Sequence, residues 1–245
     1  MMDTLTLQAG DIRLRVEKRR DSAVSLRLER WRYPFFSYRV SNEAYDLSFD
    51  ARRNTGRICV KSSCGCGRTM FCNALKHLMS LLVMRSCGIV LHACGVRYNG
   101  GGHLFLGPSG SGKSTVASVS SREHAIISQE AVAVMPYGSA YAAYALPYAA
   151  DDVFEQRACS VRPVSGLYNL VKDTRTYIEP LTRSCALALC YQRPAPELLG
   201  QSREKAYFAR FARLLEQVPC YRLHFLPDDS FWRCIDARRE AVSPA

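Results

Sequence analysis

Residues 107–114 read Gly107-Pro108-Ser109-Gly110-Ser111-Gly112-Lys113-Ser114 and complete the pattern G-x-x-x-x-G-K-[ST]. The pattern predicts a strand, a tight glycine-rich turn and a helix in direct succession. His103-Leu104-Phe105-Leu106 before it reads as a short buried strand, and Lys113 to about Ser121 after it reads as a helix. Glycines let backbone N–H groups curl around a phosphate, and the helix N-terminus adds partial positive charge. In that reading Gly107, Pro108, Ser109, Gly110, Ser111, Gly112 and Thr115 form the cradle. Lys113 reaches the outer phosphates of a nucleoside triphosphate, and the Ser114 hydroxyl sits on Mg²⁺.

The remaining composition narrows the class. The chain has 245 residues, enough for one large domain or two small ones. No stretch reads as a membrane span, because Leu81 to Val96 contains Arg85, Gly88 and His92. No signal-peptide core follows Met1, so the expectation is a cytoplasmic protein without membrane attachment. The 11 cysteines are odd in number and scattered, as free thiols in a reducing compartment would be. Cys59, Cys64, Cys66 and Cys72 are spaced C-x₄-C-x-C-x₅-C, without the paired C-x₂-C knuckles of common zinc sites, so Cys64 to Gly67 reads as a tight loop.

The net charge is +11, and residues 1–80 carry 15 basic against 8 acidic side chains. An acidic peptide or nucleic acid could answer that excess, but the charges alternate with apolar residues along strands, which reads first as a solvated face. Charge alone does not favour nucleic acid.

From residue 1 to about 62, apolar and polar residues alternate in short runs: Ile12, Leu14, Val16; Val24, Leu26, Leu28; Tyr45, Leu47, Phe49; Ile58, Val60. Period-two runs separated by turns predict an antiparallel sheet with one wet face, here bearing the arginines. Residues 1–71 are read as this β-rich layer and 72–245 as the domain carrying the glycine-rich loop. A helix is expected over 72–86, stopped by Gly88, then one buried strand over Ile89–Val96 and a hairpin turn at Tyr98 to Gly102. His92 falls within that strand and reads either as a satisfied core residue or as a group beside the phosphate site. After the loop helix, Ala125-Ile126-Ile127 leads into Ser128-Gln129-Glu130, with Glu130 the carboxylate at the strand end. Strands are expected around Val132–Val134, Tyr141–Leu146, Val164–Val171 and Pro219–Phe225, and helices over Leu181–Leu189, Ser202–Glu216 and Ser230–Ala237. Loops are expected at Pro147 to Asp152 and over Gln192 to Gly200.

The order of these features resembles the HPr serine kinase/phosphorylase C-terminal domain, and among its relatives the small HPr-kinase-like proteins of modified-peptide, including lasso-peptide, biosynthesis. The resemblance rests on Leu91-His92-Ala93, the loop at Gly107 to Thr115, the short connection to Ser128-Gln129-Glu130, and the segments Val161 to Leu170 and Pro219 to Leu223. It implies an α/β, PEP-carboxykinase-like core of mixed sheet and helices behind the β-rich layer. It implies a serine kinase that uses ATP and Mg²⁺ on a protein or peptide acceptor, and a homo-oligomer. Carried over, His92 lies beside the catalytic site, and Lys113 with the loop glycines holds ATP. Ser114 and Glu130 serve the metal. In the family the first of two acidic residues is the base toward the serine hydroxyl; here that pair is Gln129-Glu130. Gln129 can orient a hydroxyl but cannot take its proton, unless a one-residue shift brings Glu130 into the first place. Two further readings follow: a nucleotide-binding pseudokinase or regulatory module, and a small-molecule kinase or general NTPase.

Overall fold

The computed structural model describes residues 4–9, 11–18, 23–29, 31–61, 67–146, 160–161, 163–191 and 201–242. The N-terminal alternation forms a six-stranded antiparallel sheet of β1 (Thr4–Ala9), β2 (Ile12–Lys18), β3 (Ala23–Leu28), β4 (Ser37–Ser41), β5 (Tyr45–Asp50) and β6 (Thr55–Val60). Its spatial order is β1-β2-β3-β6-β5-β4. Leu14, Leu26, Leu47 and Ile58 bury one face, while Arg13, Arg15, Arg27, Arg39 and Arg57 stand exposed on the other. Strand β4 was not expected from the sequence. It is a half-buried edge strand, and edge strands carry a weak apolar signal.

Helix α1 (Gly67–Arg85) begins five residues before the expected Cys72. Its buried residues, Cys72, Ala74, Leu75, Leu78, Met79, Leu81, Leu82 and Val83, run nearly all round its second half. A helix apolar on every side must be covered on every side. Here it touches β5 and β6 of the N-terminal sheet as well as strands of a second sheet. The left-handed residue that ends it is Cys87 (φ 64), not Gly88, whose N–H reaches back to Val83 O at 3.0 Å.

The main correction concerns Ile89–Val96. The segment is two strands, β7 (Ile89–Leu91) and β8 (Ala93–Tyr98), which join different sheets. Strand β8 pairs with β9 (Gly101–Leu106) through a two-residue turn at Asn99 and Gly100, both at positive φ. After β9 come α2 (Lys113–Ser120), β10 (Ala125–Ser128), β11 (Val132–Tyr137), β12 (Ala140–Ala145), β13 (Ser160–Val161), β14 (Val164–Lys172), β15 (Tyr177–Pro180), α3 (Arg183–Tyr191), α4 (Gln201–Gln217), β16 (Cys220–Phe225) and α5 (Ser230–Val242). The expected loops at Pro147 to Asp152 and at Gln192 to Gly200 lie outside the described residues. The helix expected from Leu181 begins at Arg183, because the unforeseen edge strand β15 occupies the residues before it.

The central sheet runs β10-β8-β9-β14-β16-β15, and a four-stranded sheet runs β13-β12-β11-β7. Within the central sheet β9, β14 and β16 are mutually parallel, and the outer pairings are antiparallel. Strand β10, the strand expected to end at Glu130, is therefore an antiparallel edge strand that ends at Ser128. One apolar cluster joins Phe105, Val116, Tyr168, Phe225, Phe231 and Trp232, from α2, α5 and one face of the central sheet. A larger one is continuous from the N-terminal sheet through α1 to the four-stranded sheet, α4 and the opposite face of the central sheet. No helix among the described residues is long and apolar enough to cross a membrane.

Candidate functional site

Three parallel strands end at one edge of the central sheet, and the glycine-rich loop leaves from the first of them. Its conformation follows from its glycines. Gly110 and Gly112 hold φ of 77° and 109°, a region costly to side-chain-bearing residues. A Cβ on Gly107 would stand 2.1 Å from Ser111 Oγ, and one on Gly112 would stand 2.5 Å from Cζ of Phe225. Phe225, at the end of β16, is thus the buried floor on which the loop closes.

Lys113 is 7% exposed. Its Nζ donates to Gly107 O at 2.8 Å and to Pro108 O at 3.0 Å, so its ammonium ties the loop to itself. Helix α2 starts at Gly112 with no side-chain cap and no acidic residue in its first turn. Its first amides therefore have no intrahelical or capping acceptor of that kind. Ser111 Oγ is buried with no hydrogen-bond partner. An orphaned hydroxyl, uncapped amides and a buried cation within one loop are what a phosphate cradle requires. Ser109 and Ser114 are exposed, and Thr115 is half-buried.

His92 is at the break between β7 and β8, with its side chain 40% exposed. Its Nδ1 lies 2.9 Å from Glu130 O and 3.4 Å from Glu130 Oε2. A carbonyl can only accept, so Nδ1 carries the hydrogen and Nε2 keeps the lone pair in the neutral ring. Glu130 O also accepts from Ala93 N–H at 3.2 Å. Ser128 Oγ accepts the N–H groups of Glu130 and Ala131, closing the turn that presents Glu130. Burial holds the His92 pKa below its ordinary value; the Lys113 ammonium pushes the same way, and Glu130 opposes both. Beneath them burial pushes the Cys94 thiol up to about 12, with Lys113 lowering and Glu130 raising it.

The structure therefore brings His92, Lys113 and Glu130 into one electrostatic neighbourhood. It does not bring Gln129 to His92 in the same way: Gln129 is exposed in the turn, and its neighbour Glu130 makes the contact. Asn169, not singled out as a site residue from the sequence, is buried on β14 opposite Leu106. It lines a small cavity together with His92, Gly107, Ala186, Tyr207 and Phe211. Its polarity inside the apolar run Val164–Val171 was the available signal. Among the described residues no group of three metal-ligating side chains converges. Cys59 and Cys72 are free thiols, and Cys64 and Cys66 lie outside the described residues.

Fold and site define a mixed α/β protein built around a strand, a glycine-rich loop and a helix, with a histidine–glutamate pair beside the loop lysine. A family model described as SynChlorMet cassette protein ScmC matches residues 68–239. The chain belongs to that family. Among solved structures, the HPr(Ser) kinase/phosphatase from Coxiella burnetii is similar at 12% identity and a TM-score of 0.36, covering 62% of this chain and 93% of that one. No curated protein matches.

Proposed function

We propose that this chain is a kinase that transfers the γ-phosphoryl group of ATP, with Mg²⁺, to a serine hydroxyl of a protein or peptide. The observation that carries the reading is the loop: a buried Lys113, an orphaned Ser111 hydroxyl and the uncapped start of α2, with His92 and Glu130 alongside. The residues fit a triphosphate. Lys113 would exchange its two loop carbonyls for phosphate oxygens. The amides from Gly110 to Thr115 would donate to the same group. Mg²⁺ keeps several waters and takes only one or two protein oxygens beside the phosphates. Ser114 and Glu130 are that kind of donor set. Bound Mg²⁺ would neutralise charge developing on the transferred group. Glu130 holds His92 in one tautomer and with it orients the acceptor hydroxyl, and the Glu130 carboxylate would take the hydroxyl proton as the γ-phosphoryl group passes to the serine oxygen and ADP leaves. The cysteines resolved as free thiols suit a cytoplasmic enzyme.

A second reading is favoured by Gln129, which is exposed and cannot take a proton where the resemblance puts the first carboxylate. In it the chain binds nucleotide and regulates without transferring phosphate. Titration with Mg-ATP, followed by phosphoserine mass analysis of a serine-containing peptide library, separates the two. Saturable binding that Lys113→Ala weakens at least tenfold, with a one-phosphate mass shift that Glu130→Ala removes, supports the kinase. ATP binding without any shift, and transfer appearing only in Gln129→Asp, would establish the regulatory module. Phosphate release without any peptide would point to an NTPase.

A further inference from the structure

Among the described residues strand β4 is an edge of the N-terminal sheet, paired only with β5. Phe36 O accepts from Ala51 N–H, and Asn42 N–H donates to Tyr45 O. Antiparallel ladders alternate, so the residues in step with 36 and 42, namely Tyr38 and Val40, spend their backbone groups on β5. The N–H and C=O groups of Ser37, Arg39 and Ser41 therefore point away from the sheet. No other strand pairs with this edge among the described residues.

The side chains beside the edge are basic. On the exposed face Arg39 pairs across to Ser48, and Ser48 pairs across to Arg57. The two arginines are thus two strand spacings, about 10 Å, apart, with only a serine between them. They line an open depression with Arg53, Asp50 and Thr55. Asp50 is engaged by Arg53 at 3.8 Å, while Arg39 makes no ion pair among the described residues. Two residues before the strand, Phe35 is 62% exposed.

We propose that β4 is a docking edge for an extended acidic peptide, which adds as a seventh antiparallel strand and sets a carboxylate against Arg39, with Arg57 two strands farther in extending the positive field. Its backbone bonds Ser37, Arg39 and Ser41, and an apolar residue at one end covers Phe35. An extended chain puts every second side chain on one face, which matches a face bearing cations and an edge bearing hydrogen-bonding groups. Charge argues against a second copy of this chain as the occupant. Arg39 is the middle residue of Ser37–Ser41, so a two-fold edge-to-edge pairing centred on β4 sets Arg39 against its own copy, a destabilising like-charge pair. The inference rests on the kinase reading only in naming the docked peptide as the one that carries the acceptor serine.

The test uses the full chain and a fluorescein-labelled (Thr-Glu)₅ peptide, read by anisotropy at low and moderate salt, with (Thr-Lys)₅ and a 20-nucleotide RNA as controls. (Thr-Glu)₅ is expected to bind, and to weaken as salt rises. Arg39→Pro removes the outward N–H and the charge while leaving every β4–β5 bond, and should weaken binding at least tenfold. Arg57→Glu, which leaves the edge intact, should weaken it about fivefold. Circular dichroism checks that both variants stay folded. Equal affinity in folded Arg39→Pro, equal binding of (Thr-Lys)₅, tighter Arg39-dependent binding of the RNA, or a dimer that Arg39→Pro dissolves would each overturn the proposal. Lys113→Ala should keep full peptide binding while losing nucleotide, so a failed transfer assay with intact docking counts against the kinase reading alone.

Discussion

Replacing Gly112 with alanine should destabilise the whole domain, and the structure gives two separable costs. A non-glycine residue at φ 109° carries backbone strain of about 1–3 kcal/mol. The new Cβ would also stand 2.5 Å from Phe225 Cζ. That ring is 3% exposed and packs edge-on to Phe231, so it has little room to yield. Overpacking of this kind costs about 1–3 kcal/mol. Together they predict a loss of about 2–6 kcal/mol, a large part of a typical total of about 5–15 kcal/mol. For a chain of this size the midpoint of thermal unfolding should fall by about 4–24 °C. The assay is urea unfolding followed by circular dichroism, in wild type and in a Phe225→Leu background. Leucine has no atom at the Cζ position, so the steric part should vanish and the backbone part remain. The alanine should therefore cost less in that background, with a coupling of about 1–3 kcal/mol. An equal cost in both backgrounds would refute the idea that Phe225 is the floor of the loop. A cost below about 0.5 kcal/mol in wild type, the range of ordinary surface changes, would refute the strain argument as well.

Three further outcomes can be measured. Gln129→Ala should change phosphoryl transfer less than threefold, whereas Glu130→Gln should lower it by about 10²–10⁴, the usual contribution of a positioned acid or base; equal effects would show that the exposed glutamine shares the role. Cys94, with its pKa pushed up to about 12, should react with iodoacetamide at pH 8 about 10³-fold more slowly than exposed Cys87 and Cys185, because so little thiolate is present; site-resolved mass analysis showing comparable labelling would contradict the burial. His92 has its pKa lowered on folding, so the unfolded chain takes up a proton first as pH falls below about 6.5. Its stabilising contribution is complete above that pH and is lost between there and the lower folded value. Denaturation midpoints at pH 7.5 and 5.5 should thus differ less in His92→Gln than in wild type, and identical differences would show that His92 is not the group responsible.

Much of the local structure was present in the chain's own pattern. Alternation located β2, β3, β5 and β6, because the period of a strand with one buried face is written directly into its apolar positions. The glycine-lysine spacing located the turn between β9 and α2, because only glycine takes the conformations at 110 and 112 without strain. The edge strands were harder to read: β4 alternates over only five residues, with Tyr38 and Val40 partly buried, and β15 is mostly exposed. Nor was the division of Ile89–Val96 legible: His92 stands at the break, but one histidine in an apolar run looks the same whether the run crosses one sheet or passes between two.

That division is what matters most for the candidate site. The sequence determined that a glycine-rich turn would lead from a strand into a helix at Gly107–Ser114, since its turn and helix start are local, and that His92 and Glu130 were residues to watch. It could not determine that Glu130 O meets His92 Nδ1, a contact between residues 38 apart in the chain. Nor could it decide that Gln129 faces solvent while Glu130 turns toward His92. Those facts depend on β7 pairing with β11 while β8 pairs with β9, on Ser128 closing the turn before Ala131, and on Phe225 of β16 lying beneath Gly112. The β7–β11 pairing and the Phe225 contact join residues far apart in the chain, so they exist only once the sheets have packed.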